Sequence, residues 1–207
     1  MQRFVTNILA GLFLSALLVL VLSLTAKAQV LARSVDVAGA FGYDHTSMTS
    51  VNPVSNSLPT SQYFFGGSGS YNVIPAITVL GEYKYDPLVS PTGNPFKWHS
   101  QLAGSAVRFN FTPSHKIVPY GILGAGYDRI TATIPGTYEY ADGYYVNFGG
   151  GASVYCGKHW GIRPELRYER QHTTYGAGGS NQIITSNVAD VSGSFFYQFG
   201  GTGKKKK

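Results

Sequence analysis

The final strand-like stretch of this 207-residue chain constrains its fold more than any other feature. Residues 188–199 read VADVSGSFFYQF, and apolar or glycine residues alternate there with polar ones. A period of two indicates a β-strand with one apolar and one polar face. Phe196 is the one aromatic residue of this stretch that is out of step. The apolar face consists of Val191, Gly193, Phe195, Tyr197 and Phe199.

Seven further segments are predicted strands, and six of them alternate as clearly. The exception is the glycine-rich fifth segment, in which the facing of the side chains is ambiguous. The chain contains 26 Gly, 15 Tyr and 12 Phe, a composition that favours many strands over a helical bundle. The eight predicted strands cover residues 34–45, 62–73, 76–85, 98–111, 117–130, 144–156, 161–172 and 188–199.

The first 28 residues have the pattern of an export signal. Arg3 supplies a positive start, residues 8–24 are almost wholly apolar, and Ala26-Lys27-Ala28 is a small-residue cleavage site. The alternative is an uncut membrane anchor, because the apolar run approaches spanning length. We expect residues 1–28 to be a cleaved signal peptide.

The net charge of +6 gives no support for nucleic-acid binding. Removing Arg3, Lys27 and the terminal Lys204–Lys207 from the 16 basic residues leaves ten against 10 acidic ones. Cys156 is the single cysteine, so no disulfide forms within the chain. The sequence therefore predicts neither a nucleic-acid partner nor a disulfide framework.

The predicted connections between strands alternate in length, which decides the architecture. Long and short connections in turn are typical of outer-membrane barrels, in which an even strand number returns both termini to the periplasm. Strands of about ten residues suit a tilted bilayer crossing. The sequence therefore predicts an all-β fold, an eight-stranded antiparallel up-and-down transmembrane β-barrel. The long connections are residues 46–61, 86–97, 131–143 and 173–183, and the short ones are 74–75, 112–116 and 157–160.

Charged side chains on the polar faces predict an ion-pair network inside the barrel. An eight-stranded barrel is just wide enough for side chains to fill it. Charges buried there have to be paired, because an unpaired one carries a desolvation cost of several kcal/mol. The expected network comprises Glu82, Lys84, Arg108, Arg163, Glu165, Arg167 and Glu169.

The chain resembles the small outer-membrane β-barrel family of OmpA-like and opacity-type proteins. The resemblance covers nearly all of residues 35–199, and its best motifs are GIRPELRY at 161–168 and the terminal Tyr197-Gln198-Phe199. It implies an outer-membrane location, contact with outer-membrane lipids and lipopolysaccharide, and an assembly signal from Val191 to Phe199 that the barrel-insertion machinery reads. We expect a barrel domain at 29–199 and a basic tail at 200–207. That tail departs from the family, whose signal ends the chain at its Phe.

Three functions remain open from the sequence. The first is a structural or surface-interaction role through the long loops, with no identified surface partner. The second is a narrow pore or conduit for small molecules. The third is a lipid hydrolase, because the chain near His172 and Thr174 resembles barrel-type lipid A deacylases. Thr stands there in place of Ser, and no orienting acid shares the face. We expect no catalytic site, metal or cofactor.

Overall fold

The computed structural model describes residues 30–48, 61–87, 97–134, 137–177 and 180–202. The predicted signal peptide, most of the first two predicted loops (49–60 and 88–96) and Lys204–Lys207 lie outside these ranges. No helix in the described ranges is long and apolar enough to cross a membrane. The strands are β1 (Ala32–Met48), β2 (Ser61–Ile74), β3 (Ile77–Pro87), β4 (Lys97–Asn110), β5 (Ile117–Ile134), β6 (Thr137–Tyr155), β7 (Trp160–Ala177) and β8 (Ser180–Thr202).

The eight strands form a closed barrel in which each strand pairs with its chain neighbours and β1 pairs with β8. All eight pairings are antiparallel. At the closing seam, Val35 lies opposite Phe199 and Tyr43 opposite Val191. The predicted all-β, eight-stranded antiparallel barrel is therefore confirmed.

Two of the predicted long loops are wrong, because the strands continue through most of them. β5 runs to Ile134 and β6 begins at Thr137, while β7 runs to Ala177 and β8 begins at Ser180. Only two residues lie between the strands of each pair. These strand ends are rich in threonine, tyrosine and isoleucine, which favour extended backbone. They lack the apolar–polar alternation that identifies the rest of each strand.

Side chains alternate between a buried interior and an exposed apolar exterior along every strand. The ambiguous fifth segment also follows this rule, with Tyr120 and Asp128 buried and Leu123 61% exposed. Phe196, the aromatic residue out of step on β8, is completely buried. An apolar exterior of this size is untenable in water. Its members on the first three strands are Val35, Val37, Phe41, Tyr43, Tyr63, Phe65, Tyr71, Val73, Ile74, Val79 and Tyr83.

The closing seam continues past Phe199 through a local irregularity. β8 extends to Thr202, which lies opposite Ala32 at the start of β1. Arg33 has φ 57°, and Gly200 and Gly201 have φ 65° and 98°. Positive φ is costly for residues with a Cβ and cheap for glycine, so the two glycines suit this bend. Residues 200–202 therefore belong to the closing strand.

The glycines divide into two groups according to the side of the wall they face. A Cβ added to the outward-facing Gly39 or Gly193 would meet no atom within 4 Å. A Cβ on the inward-facing Gly149 would overlap the carbonyl oxygen of Leu166 and lie 2.8 Å from the Cα of Arg167. Glycine inside a strand marks such close approaches of backbone at the bends of a barrel wall.

We predict that Gly149→Ala destabilises the folded barrel by about 1–3 kcal/mol, because the new methyl group has to displace backbone of β7. The matched change Gly39→Ala adds the same group to open space on β1 and leaves stability unchanged. The measurement is the urea midpoint of lipid-refolded protein, followed by the mobility of unheated samples on gels. Equal midpoints for the two variants would contradict the assignment of crowded inward glycines.

Candidate functional site

The barrel interior is the candidate functional site, and its end near the chain termini is closed by apolar side chains. Val30 precedes β1 and packs against Val118, Tyr155 and Phe196, all of which are buried. The Val30 amide donates a hydrogen bond to the carbonyl oxygen of Pro113 at 2.9 Å. Tyr155 and Phe196 contact each other edge to face, with their ring centroids 5.0 Å apart. This cluster caps the end of the barrel at which β1 begins and β8 ends.

A layer of hydrogen-bonded polar groups lies above this apolar cap. Asn72 Nδ2 donates hydrogen bonds to Ser34 Oγ at 2.8 Å and to Asp36 Oδ1 at 3.1 Å. Arg163 Nη2 forms a 2.5 Å ion pair with Asp36 Oδ2. The guanidinium carbon of Arg163 lies 3.8 Å from the centroid of the Phe196 ring. The layer therefore joins β1, β2, β7 and β8 across the interior.

The middle of the interior is organised around Arg167. Its Nη1 lies 2.7 Å from Glu82 Oε2, and its Nε lies 2.5 Å from Glu165 Oε1. Tyr120 donates its hydroxyl hydrogen to Glu165 Oε2 at 2.7 Å. One guanidinium therefore satisfies two carboxylates, and the tyrosine on β5, two strands away from β7, holds the second of them.

The upper part of the interior depends on Lys84, which reaches from β3 to the closing seam. Its Nζ lies 3.0 Å from Asp44 Oδ2 and 3.3 Å from Asp190 Oδ2. Asp44 and Asp190 are direct cross-strand partners on β1 and β8. Like charges directly opposite each other on paired strands repel. The Lys84 ammonium offsets that repulsion and also lies 3.7 Å from Glu169 Oε2.

Two more buried aspartates make this upper part strongly acidic. Asp86 and Asp128 both act electrostatically on the cluster around Lys84. Ser100 and Thr173 donate hydrogen bonds to Asp128 at 3.1 and 3.2 Å. The upper interior thus places Asp44, Asp86, Asp128, Glu169 and Asp190 around one ammonium group.

Arg108 differs from the other members of the expected network, because it forms no ion pair with any described residue. It is 4% exposed, and its guanidinium carbon lies 4.9 Å from the centroid of the Tyr120 ring. Its Nε has no hydrogen-bond partner. Five of the other six predicted residues fall into two separate groups, around Lys84 and Arg167. The sixth, Arg163, pairs with Asp36.

A cavity of about 70 Å³ lies between these groups. Charged residues line one side, and small residues from β1, β2 and β8 line the other. A space of this size holds a few water molecules and is too small for a typical solute. Its small-residue side includes Ala40, Gly66, Gly67, Ser68, Ser192 and Ser194.

Sequence reasoning missed the aspartates of the network, Asp44 among them. Asp44 is 1% exposed and binds Lys84 inside the barrel. The alternation within each strand could have identified them, because Asp36, Asp44 and Asp190 all lie on the polar faces of their strands. The ion pairs they form connect residues far apart in sequence, and alternation within one strand carries no information on such pairs.

The outward-facing candidates show no catalytic arrangement. The hydrolase hypothesis expects His172 to form a hydrogen bond with Thr174. Instead, His172 Nδ1 lies 3.1 Å from Thr185 Oγ1. No group of three His, Cys, Asp or Glu among the described residues is arranged to hold a metal ion. Cys156 is a half-buried free thiol in the turn after β6, and its burial raises the thiol pKa.

We predict that Lys84→Met destabilises the barrel by roughly 3–5 kcal/mol at neutral pH, since it leaves buried carboxylates without their cation. Urea unfolding in lipid vesicles measures the change. Adding Asp44→Asn and Asp190→Asn should restore most of the loss, because the repelling pair then carries no charge. Lys158→Met, in an exposed turn, is the control. A Lys84→Met protein as stable as this control would contradict the role of Lys84 at the seam.

Comparisons with known proteins support the barrel assignment. Neisserial surface protein A matches with a TM-score of 0.59 at 14% identity, over 80% of this chain and 97% of that one. OprG from Pseudomonas aeruginosa matches with a TM-score of 0.54 at 11% identity, over 84% of this chain and 99% of that one. Ail, the attachment invasion locus protein of Yersinia pestis, matches with a TM-score of 0.51 at 11% identity, over 81% and 100%.

These solved structures establish the fold. They establish nothing further, because all three share well under a quarter of their sequence with this chain. No curated protein matches the chain in sequence. Residues 14–200 match the family described as the outer membrane protein beta-barrel domain. The match includes all the strands except the last two residues of β8. The chain therefore belongs to the outer membrane protein beta-barrel domain family.

Proposed function

We propose that this outer-membrane protein is closed to solutes and acts through its extracellular end. The filled interior is the observation that carries this proposal. Apolar side chains cap the periplasmic end, and three layers of hydrogen bonds and ion pairs lie above them. The cavity of about 70 Å³ lies among the residues of these layers. A solute would have to break several buried ion pairs to pass.

The chemistry of the extracellular end favours an uncharged partner surface. The sequence at 49–60 and 88–96 contains Ser, Thr, Asn and Pro but no charged residue. One of the similar structures is Ail bound to the heparin analogue sucrose octasulfate. Neither the acidic upper interior nor these uncharged segments offers such a polyanion a cationic side chain. We therefore expect contacts through hydrogen bonds and aromatic groups rather than through charge.

Transport of small molecules is the second candidate function. The outer-membrane protein OprG has the same fold as this chain. Its 11% identity supports the fold alone and says nothing about transport here. The unpaired Arg108 beside the cavity is the feature that favours a conduit. A lipid hydrolase has less support, because His172 has no carboxylate partner among the described residues.

The expected result in planar bilayers is no sustained conductance for the unmodified protein. The variant Glu82→Gly with Arg167→Gly removes the central ion pair and should produce small current steps, which shows that the assay detects an open lumen. Stable steps from the unmodified protein would contradict a closed interior and favour the conduit.

The surface role is tested with the same protein displayed on cells. Residues 49–60 and 88–96 are replaced by Gly-Ser segments of equal length, which keeps the strands and the lumen. We expect cell-to-cell aggregation and attachment to glass to fall, while gel mobility of the folded barrel stays the same. Attachment that is unaffected by both replacements would contradict the proposal.

We also propose that the outward face of β8 directs insertion by the barrel-assembly machinery, after export and removal of residues 1–28. Val191, Phe195 and Phe199 are 51–55% exposed on this face. Gly193 and Tyr197 lie on the same face and complete the expected signal. Lipopolysaccharide of the outer leaflet would surround the extracellular part of the barrel.

Two truncations separate the signal from the tail. A chain ending at Thr202 keeps every described pair of the closing seam, whereas a chain ending at Phe199 loses the pairs at Ala32 and Ser34. We predict that the first inserts at least as well as the full chain and that the second gives less folded protein. The folded fraction in isolated outer membranes measures both. A higher yield from the shorter chain would contradict a structural role for residues 200–202. N-terminal sequencing that does not begin at Gln29 would contradict the cleavage site.

A further inference from the structure

We propose that the periplasmic rim of the barrel binds anionic phospholipid headgroups through a basic collar formed by Arg33, Lys116 and Lys158. This inference is independent of whether the lumen conducts. It concerns the opposite end of the molecule from the proposed surface role.

The three collar residues lie at different points around the rim. Arg33 is exposed at the start of β1, beside the closing seam. Lys116 lies in the turn between β4 and β5, and Lys158 is exposed in the turn between β6 and β7. The collar is therefore spread around the ring rather than concentrated on one side.

No carboxylate offsets this charge in the described residues at the periplasmic end. The ranges 30–34, 75–76, 111–116, 156–160 and 200–202 contain no Asp or Glu. The nearest acid along β1, Asp36, is 2% exposed and already paired with Arg163 inside the barrel. The Lys116 ammonium nitrogen is buried in this conformation, has no hydrogen-bond partner among the described residues, and reaches a headgroup only when its side chain turns outward. The rim thus carries positive charge that its own residues do not neutralise.

Each cation has a large, exposed apolar side chain close to it along the chain or across the seam. Trp160, two residues after Lys158, is 41% exposed, and Phe111 before Lys116 is 67% exposed. Phe199, 51% exposed, ends the apolar face of β8 next to the bend that contains Arg33.

Aromatic residues of this kind lie at the level where hydrocarbon gives way to headgroups. A ligand that satisfies both features has an acyl part beside the aromatic rings and a negative headgroup beside the cations. Anionic phospholipid has this chemistry, whereas free phosphate lacks the acyl part. Basic residues next to a membrane surface attract anionic lipid in this way. In the sequence, Lys204–Lys207 follow β8.

Fluorescence quenching by brominated lipid tests the collar directly. The chain has two tryptophans, so Trp98→Phe leaves Trp160 at the collar as the single reporter. The full chain is refolded into phosphatidylcholine vesicles that contain an equal mole fraction of brominated phosphatidylglycerol or brominated phosphatidylcholine. We expect stronger quenching by phosphatidylglycerol. The local enrichment should be about five-fold, the factor that one basic residue near an anionic surface supplies, and high salt should reduce it.

The variant Arg33→Gln with Lys116→Gln and Lys158→Gln should make the two lipids quench equally. Lys158→Gln alone, which changes the residue closest in sequence to the reporter, should also lower the ratio. It replaces the triple variant as the test if that variant folds poorly. The matched control is Arg129→Gln with Arg170→Gln, which removes exposed cations near the extracellular end and should leave the ratio unchanged. A chain ending at Thr202 should keep a ratio above one, since it retains the collar.

Two results would overturn the proposal. The first is equal quenching by the two lipids in the unmodified barrel, or a ratio that the triple variant does not change. The second is loss of preference when only residues 203–207 are removed, which would assign lipid binding to the tail. A third assay tests binding to purified peptidoglycan. If peptidoglycan retains the unmodified protein but not the triple variant, and the two lipids quench equally, then the collar binds peptidoglycan. The lipid assignment is wrong in that case.

Discussion

The closed ring of backbone hydrogen bonds is the constraint on which the rest of this structure depends. Hydrocarbon offers no partner to a backbone amide or carbonyl group, so a sheet in a membrane cannot leave an open edge. The ring closes between β1 and β8, where Asp44 and Asp190 lie directly opposite each other. Without Lys84 this seam would hold two buried like charges side by side. The ion-pair chemistry of the interior is therefore part of how the ring closes.

The two faces of the wall solve different physical problems. Lipid is fluid, so the exterior needs apolar side chains of suitable size but no fixed shape. The interior is narrow, and each charge there needs a partner on another strand, as Arg167 has in Glu82 and Glu165. A filled, paired interior stabilises the barrel, and under the proposed function it also closes the lumen to solutes. Stability and closure would then follow from one arrangement.

The strands, their facing and the fold class were predictable, because lipid and lumen impose opposite chemistry on alternate residues. Phe196 broke the pattern and lies inside with Tyr155 and Arg163. The pairing of Lys84 with Asp44 and Asp190 was not predictable, since it depends on the stagger between strands that are not direct neighbours in the barrel. The ends of β5–β8 were also missed. Beyond the apolar band neither face is lipid-facing, and the alternation that marks a strand disappears there.

The division of the glycines sets unequal freedom for sequence change on the two sides of the wall. At Gly39 and Gly193 there is room for a larger residue, whereas Gly149 is held by backbone of the next strand. Drift should therefore be rapid over the outer surface and slow at the crowded bends. A barrel built in this way can diverge until little sequence is shared and still close into the same ring. Similarity of shape at 11–14% identity is the outcome that such uneven freedom would produce.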